Sequence, residues 1–328
     1  MLILRPVDPA VSNEPFMNNL SEPQWHSELG ALNSVGDALH WGEQKLAEAE
    51  VFLGHGTDSY HDEAVALLLY ALEQPWDVDP SIVEAALTDV QRERFGGVLL
   101  RRINERVPVP YLTGKAWFCG LEFSVDERVL IPRSPIAELI EYRFYPWVEA
   151  DNVSRVLDLC TGGGCIAIAC AHAFPDAQID ATDIDEGALD VCRQNIAQYD
   201  LQDRVRALLG DGLAAAQGQY DLIVSNPPYV DAQDMASLPD EFRHEPELAL
   251  ASGLDGLDFT RKVLAQAADY LSEQGVLVLE VGNSMEAVEQ VWPAVPFMWL
   301  EFEHGGHGVF VITREQLMEY REIFQQTL

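Results

Sequence analysis

The sequence predicts an α/β protein in which a mostly parallel, seven-stranded sheet is layered with helices and closed by an antiparallel C-terminal hairpin, behind an N-terminal helical domain. Three observations carry that prediction. After about residue 150, short continuous apolar runs alternate with stretches of helical period, as strands buried on both faces and joined by crossover helices require. From 34 to 106 the period is helical throughout, with repeated start and stop signals. A chain of 328 residues that is 48% hydrophobic is long enough for one large domain and an appendage.

Residues 1–33 mix Pro, Asn, Ser and Glu without a sustained period and read as a loosely held extension. They contain no basic segment followed by an apolar run, so no signal peptide is expected. The helical domain, 34–107, is predicted to hold four helices. The first is capped by Ser34, carries Leu39 and Leu46 and ends before His55-Gly56. Asp62 opens the second, which Pro75 stops; a third covers 80–87; the fourth, capped by Thr88 or Asp89, reaches Ile103. In the linker, 108–134, the pattern changes to short extended runs at 117–118 and 121–125 around Gly120, a β-hairpin. The domain 135–328 begins with a short helix after Pro135. Strands at 155–159, 178–182, 205–209, 221–224 and 276–280 then alternate with helices at 165–173, 186–199 and 257–271. A last pair of strands, 299–303 and 309–312, joined at Gly305-Gly306, closes the sheet edge.

Charge narrows the function classes. There are 20 Lys and Arg against 54 Asp and Glu, a net of −34, and only three of the bases are Lys. Such a field repels phosphate backbones, so no direct nucleic-acid specificity is expected. Residues 1–90 carry −14 and residues 91–143 carry +2. Scarce Lys beside abundant acid fits salt adaptation as well as it fits attraction of a basic partner. No run of 18 apolar residues is present, so no membrane partner is expected. The five Cys include no Cys-x-x-Cys pair and sit mostly in apolar runs, which reads as reduced thiols in a cytoplasmic protein.

The chemistry begins where the first parallel strand ends, in Asp158-Leu159-Cys160-Thr161-Gly162-Gly163-Gly164-Cys165. Glycines at this turn let the backbone approach a ligand at the carboxyl edge of the sheet. The spacing Gly162-x-Gly164-x-x-Ala167, with Asp183 ending the second strand, satisfies a dinucleotide pattern and equally an S-adenosylmethionine site. Two acids favour the methyl donor. Asp158 precedes the loop, where it suits a methionine ammonium and would repel a pyrophosphate; Asp211, after the third strand, is placed to accept from an adenine amino group.

Strand four runs into Ser225-Asn226-Pro227-Pro228-Tyr229-Val230. Two prolines fix the backbone and leave it presenting carbonyls rather than N–H groups. A planar NH2 group entering here can donate to the Asn226 side-chain oxygen and to the Pro227 carbonyl. Both its hydrogens are then held, the nitrogen is aimed, and the acceptors favour the positive charge that develops on methylation. Tyr229 can cover one face of the substrate group.

Asn226-Pro227-Pro228-Tyr229 resembles the motif of class I S-adenosylmethionine-dependent methyltransferases that modify exocyclic or amide nitrogens. The longer match selects the protein N(5)-glutamine methyltransferase family: Pro110-Tyr111-Leu112-Thr113-Gly114, Trp117-Phe118-Cys119-Gly120, Leu130-Ile131-Pro132-Arg133 and Glu245-Pro246-Glu247-Leu248-Ala249-Leu250. Pro132-Arg133-Ser134-Pro135-Ile136 departs from the Pro-Arg-Pro-Glu-Thr of the release-factor enzymes. It is similar instead to the sister enzymes acting on a large-subunit ribosomal protein, the third of the L series. That resemblance implies methyl transfer to a glutamine side-chain amide of a basic ribosomal protein, free or within an assembly intermediate, with the helical domain recognising the substrate. It implies cofactor contacts from Asp158, Leu159, Cys160, Thr161, Gly162, Gly164, Asp183, Ile184, Asp211, Gly212 and Asn226, and substrate contacts from Asn226, Pro227, Pro228 and Tyr229. Gly212 stands where release-factor enzymes often place an aromatic over the adenine. Release-factor glutamine methylation, and amino methylation of adenine or guanine in nucleic acid, are the alternative activities.

Three further features are read more plainly. His304-Gly305-Gly306-His307 is a hairpin turn rather than a metal site, and no metal is expected. Glu245 is read first as an anchor for the loop after the motif, and second as a general base or part of the glutamine entrance. Arg92, Arg94, Arg101, Arg102 and Arg106 are read as solvated or paired with neighbouring acids before they are read as a face for ribosomal RNA.

Overall fold

The computed structural model describes residues 22–328, which divide into two units. One takes the chain up to Gly114 together with Pro239–His244; the other takes Lys115–Leu238 and Glu245–Leu328.

The first unit is helical: α1 Glu22–Gly30, α2 Val35–Glu48, α3 Tyr60–Leu72, α4 Asp89–Asn104 and α5 Val109–Thr113. Local chemistry sets the starts. Ser34 and Asp37 form a capping box on α2, Thr88 and Gln91 form another on α4, and Ser59 caps α3. Trp25, Trp41, Leu67, Phe95 and Leu99 are buried together. The expected extension 1–33 is corrected over its second part, because α1 lays Trp25 4.7 Å from the Trp41 ring and buries Leu29. Its first 21 residues lie outside the described residues. The helix expected over 80–87 is a short 3-10 turn, Pro80–Glu84. The backbone beyond it pairs instead with the entry to α2, Val35 N–H donating to the Ala85 carbonyl and Leu87 N–H to that of Asn33. The expected linker 108–134 is divided: 109–113 is helical, since Pro is tolerated in a first turn, and Gly114 ends it at φ +73°.

The second unit opens with the hairpin β1 Lys115–Phe118 and β2 Leu121–Ser124, then α6 Ile136–Glu141. The alternation follows as β3 Arg155–Leu159, α7 Cys165–Ala173, β4 Gln178–Asp183, α8 Glu186–Gln198, β5 Val205–Leu209, β6 Tyr220–Ser225, α9 Ala232–Ser237, α10 Asp258–Gln266 and β7 Leu271–Glu280. The end is α11 Met285–Val291, β8 Met298–Trp299, β9 Val309–Thr313, α12 Arg314–Glu319 and α13 Arg321–Gln325. The seven-stranded sheet has the order β5-β4-β3-β6-β7-β9-β8, parallel through β7 and antiparallel at β9 and β8. Its faces bury two apolar cores, one around Val156, Ile168, Ile179 and Val224, the other around Leu157, Ile223, Leu277, Trp292 and Phe310. The strand expected over 299–303 shortens to Met298–Trp299. The helix expected to reach 271 stops at Gln266, where the chain tightens into a 3-10 turn before β7. The C-terminal α12, capped by Thr313 and Gln316, carries no sequence-based expectation. Among the described residues no helix is long and apolar enough to cross a membrane.

The sheet order reverses at β3, whose neighbours β4 and β6 are reached by crossovers on opposite sides. In open α/β sheets that reversal opens a crevice at the carboxyl ends of the strands, where ligands bind. Asp158, Asp183, Asn226 and Glu280 all stand at those ends.

Candidate functional site

The loop after β3 is built by Asp158. Its carboxylate is buried; Oδ2 accepts from Thr161 Oγ1 (2.6 Å) and from Ala167 N–H (3.0 Å), tying the start of the loop to the first turn of α7. Oδ1 has no partner among the described residues. Burial pushes this carboxyl up to about 7, the two hydrogen bonds opposing the rise and the Asp183 charge adding to it. Between these anchors the backbone takes positive φ at Cys160 (+56°), Gly162 (+52°) and Gly164 (+84°). At Gly164 a Cβ would come 2.7 Å from Cys192 Sγ, so only glycine fits; at Gly162 it would meet open space, which leaves room for a ligand against the backbone.

Asp183, ending β4, accepts from Gly162 N–H through Oδ2 (2.9 Å) and from Asp185 N–H through Oδ1 (3.0 Å). Each oxygen keeps a second lone pair for a ligand hydroxyl. Burial raises its carboxyl, partly offset by these N–H groups. Ile184 is exposed beside it. Asp211 is exposed and lies 3.3 Å from Lys262 Nζ. Burial raises the Cys160 thiol, and the fields of Asp183, Asp158 and Asp211 add to the rise. The Phe259 ring lies against Gly212, 3.5 Å from where its Cβ would stand. An aromatic absent from position 212 is thus brought to it by α10, and nothing in an amphipathic helix marks that Phe beforehand.

These residues fit S-adenosylmethionine: a buried carboxylate oxygen without a donor for an ammonium, an acid beside an open glycine for a diol, and an apolar ring beside Asp211 for an adenine.

The motif after β6 is fixed from below. Ser225 Oγ donates to the Leu159 carbonyl (2.7 Å), joining it to the loop of Asp158. Ser284 Oγ donates to the Tyr229 carbonyl (2.7 Å), and Val230 N–H donates to the Leu250 carbonyl (2.8 Å). The Tyr229 hydroxyl donates to Glu280 Oε1 (3.0 Å) and its ring packs against Gly282, where a Cβ would be 2.5 Å away. The expectation that Tyr229 covers the substrate is narrowed accordingly, because one side of the ring and the hydroxyl are committed to the protein.

Glu280 is the residue that sequence reasoning missed. It ends β7, is buried, and accepts from Ser134 Oγ (2.5 Å) as well as from Tyr229. The Asn226 amide faces it with NH2 3.2 and 3.3 Å from the two carboxylate oxygens, the orientation that electrostatics requires there. Burial raises Glu280 to about 7, against the opposing pull of its donors and of Arg133. A signal was available: like Asp158, it is an acid at the end of a buried strand that runs into a glycine-containing turn, here with Gly282 at φ +45°.

Glu245 is an anchor. Arg133 holds it in two bonds, Nη1 to Oε1 (2.6 Å) and Nη2 to Oε2 (2.7 Å), and Ile131 N–H donates to Oε1 (3.0 Å). The helical-unit arginines face acids: Arg92 with Asp89, Arg94 with Glu73, Arg101 with Glu105, and Arg102, fully buried, with Glu63 and Glu241. His307 Nε2 lies 3.1 Å from Asn283 Oδ1, and the His304 N–H donates to Glu138. Among the described residues no three His, Cys, Asp or Glu side chains gather in a metal-binding arrangement.

Residues 146–253 match the family model of the methyltransferase small domain. A ribosomal protein uL3 glutamine methyltransferase of Francisella tularensis is 44% identical over 93% of this chain and 98% of its own length. One of Neisseria gonorrhoeae is 47% identical over 88% of this chain and 96% of its own. The chain belongs to the ribosomal protein uL3 glutamine methyltransferase family, whose methyl donor is S-adenosylmethionine.

Proposed function

We propose that this protein methylates the side-chain amide nitrogen of one glutamine in ribosomal protein uL3, in the cytoplasm, on the free protein or an assembly intermediate. The observation that carries the reading is the Asn226 amide beside the Glu280 carboxylate: assigned so that its NH2 donates there, it leaves Oδ1 as an acceptor at the carboxyl edge of the sheet. Asn226 Oδ1 and the Pro227 carbonyl take the two hydrogens of the substrate amide and aim its nitrogen. Bound S-adenosylmethionine supplies an electrophilic sulfonium methyl. The nitrogen lone pair forms the new N–C bond, the S–C electron pair leaves with sulfur, and the nitrogen then loses one proton to water. Asp158, Asp183 and Asp211 hold the donor's ammonium, ribose diol and adenine amino group, the loop from Leu159 to Gly164 with Ile184 and Gly212 lines it, and Phe259 supplies the aromatic face beside Gly212. The helical unit recognises the substrate.

With tritiated donor, Asn226→Ala is expected to lower transfer to purified uL3 by ~100-fold or more at saturating donor, well beyond any loss of S-adenosylhomocysteine affinity. Near wild-type transfer to uL3, or faster transfer to a release factor or rRNA, would sink the reading.

A further inference from the structure

We propose that Glu280 is a positioning residue for methyl transfer: its buried carboxylate holds the NH2 of Asn226 and thereby keeps Asn226 Oδ1 turned toward the substrate amide. The inference rests on the assignment of Asn226 as the amide acceptor.

Three segments distant in sequence converge on this one carboxylate. Ser134 follows the linker hairpin, Asn226 and Tyr229 belong to the motif after β6, and Glu280 ends β7. All the neighbours that bond to it are donors: two hydroxyls and an amide NH2. Ionised, Glu280 is an acceptor with two oxygens and no hydrogen of its own, and it leaves the Asn226 amide a single favourable orientation, whereas a lone amide could flip at little cost. The surroundings resist rearrangement. A Cβ at Gly282 would collide with the Tyr229 ring, and one at Gly308 would come 2.2 Å from the Gly282 carbonyl oxygen, so the turn after Glu280 is packed to contact.

A carboxylate needed only for stability would be served best by a guanidinium, as the buried Glu63, Glu241, Glu245 and Asp180 are. Among the described residues no cation lies within ion-pair distance of Glu280. Its neighbours are instead the two motif side chains and a serine, so its charge orients groups at the site and is not spent on a partner.

Glu280→Gln keeps size and shape but sets an NH2 among donors. It is expected to lower kcat for uL3 by ~10- to 100-fold while KM and S-adenosylhomocysteine affinity stay within about 2-fold. Combined with Asn226→Ala it should cost nothing further, since the residue acts through Asn226. Glu280→Asp, which keeps both acceptor oxygens, should recover part of kcat; if the Gln variant does not fold, the Asp variant and its pairing with Asn226→Ala carry the same reading. Wild-type kcat in Glu280→Gln, or losses that multiply in the double variant, would overturn the inference. If Asn226→Ala itself keeps full activity, the failure lies in the assignment of Asn226.

Discussion

Six carboxylates are buried among the described residues, and they fall into two kinds. Glu63 and Glu241 share the buried Arg102, Glu245 is held by Arg133, and Asp180 meets both Arg155 and Arg206. Asp158 and Glu280 have only neutral donors, and both stand at the carboxyl ends of strands. The contrast is sharpest within one sheet. Asp180, toward the opposite edge, is enclosed by two guanidinium groups and the Tyr220 hydroxyl, a complete structural ion cluster. Asp158, on the neighbouring strand, is left with an unused oxygen. A buried charge without a counter-charge costs stability, so its presence at the ends of β3 and β7, on either side of the β6 motif, is the pattern expected where a chain gives up stability for function.

The first way to break this comparison is to remove a counter-charge. Arg102→Met strands Glu63, leaves Glu241 with only the longer contact to Arg106, and should cost the helical unit ~3–5 kcal/mol in denaturant unfolding. The loss should be larger at pH 8 than at pH 5, since the Glu63 carboxyl, already raised by burial, can protonate at low pH once its counter-charge is gone. An equal loss at both pH values would mean that the cluster is not ionic.

Asp158→Asn tests the opposite kind. Donor affinity, measured as S-adenosylhomocysteine binding, should fall by ~30-fold or more, whereas the ligand-free protein should lose no stability. The sign follows from the raised carboxyl. A folded value of about 7 against an ordinary 3.8 means that its contribution to ligand-free stability is full below pH ~4 and is lost as the pH climbs through 7. Glu280 behaves the same way from 4.5 to about 7. Ligand-free stability should thus decline between pH 5 and 8, less steeply in Asp158→Asn, while donor affinity rises over that range only in the wild type. A ligand-free Asp158→Asn protein that melts well below wild type would place Asp158 with the structural acids.

Asp180→Asn should cost ~1–2 kcal/mol, moderated because Arg155 and Arg206 are partly exposed, and leave donor affinity unchanged. The smallest expected effect concerns the −34 net charge. Raising salt from 0.05 to 0.5 M should lower kcat/KM for the basic substrate by up to ~10-fold with kcat unchanged, as screened steering requires. A flat or rising profile would assign the acidic surface to salt adaptation.

The glycine loop, Asp158, Asp183 and the Asn226 motif were legible because each is a local signal, set by strand ends, φ and proline stiffness. Glu245 was half legible: its role as an anchor could be argued, but its partner Arg133 lies 112 residues away. The third helix of the first unit was misread because its backbone pairs with the entry to α2, a contact between segments about 50 residues apart. Phe259 and Glu280 were missed for a related reason. An apolar residue in an amphipathic helix is unremarkable in sequence, an acid closing a buried strand is a signal without an addressee, and only packing brings the two to Gly212 and Asn226.

By itself the sequence determined the α/β alternation, the capped helices and the backbone chemistry of two loops, because these depend on residues within a few positions of one another. The tertiary structure decided which buried acids receive a counter-charge and which do not. That depends on what the sheet brings together across 20 to 150 residues, and it turns a strand-ending glutamate into the support of the motif's asparagine.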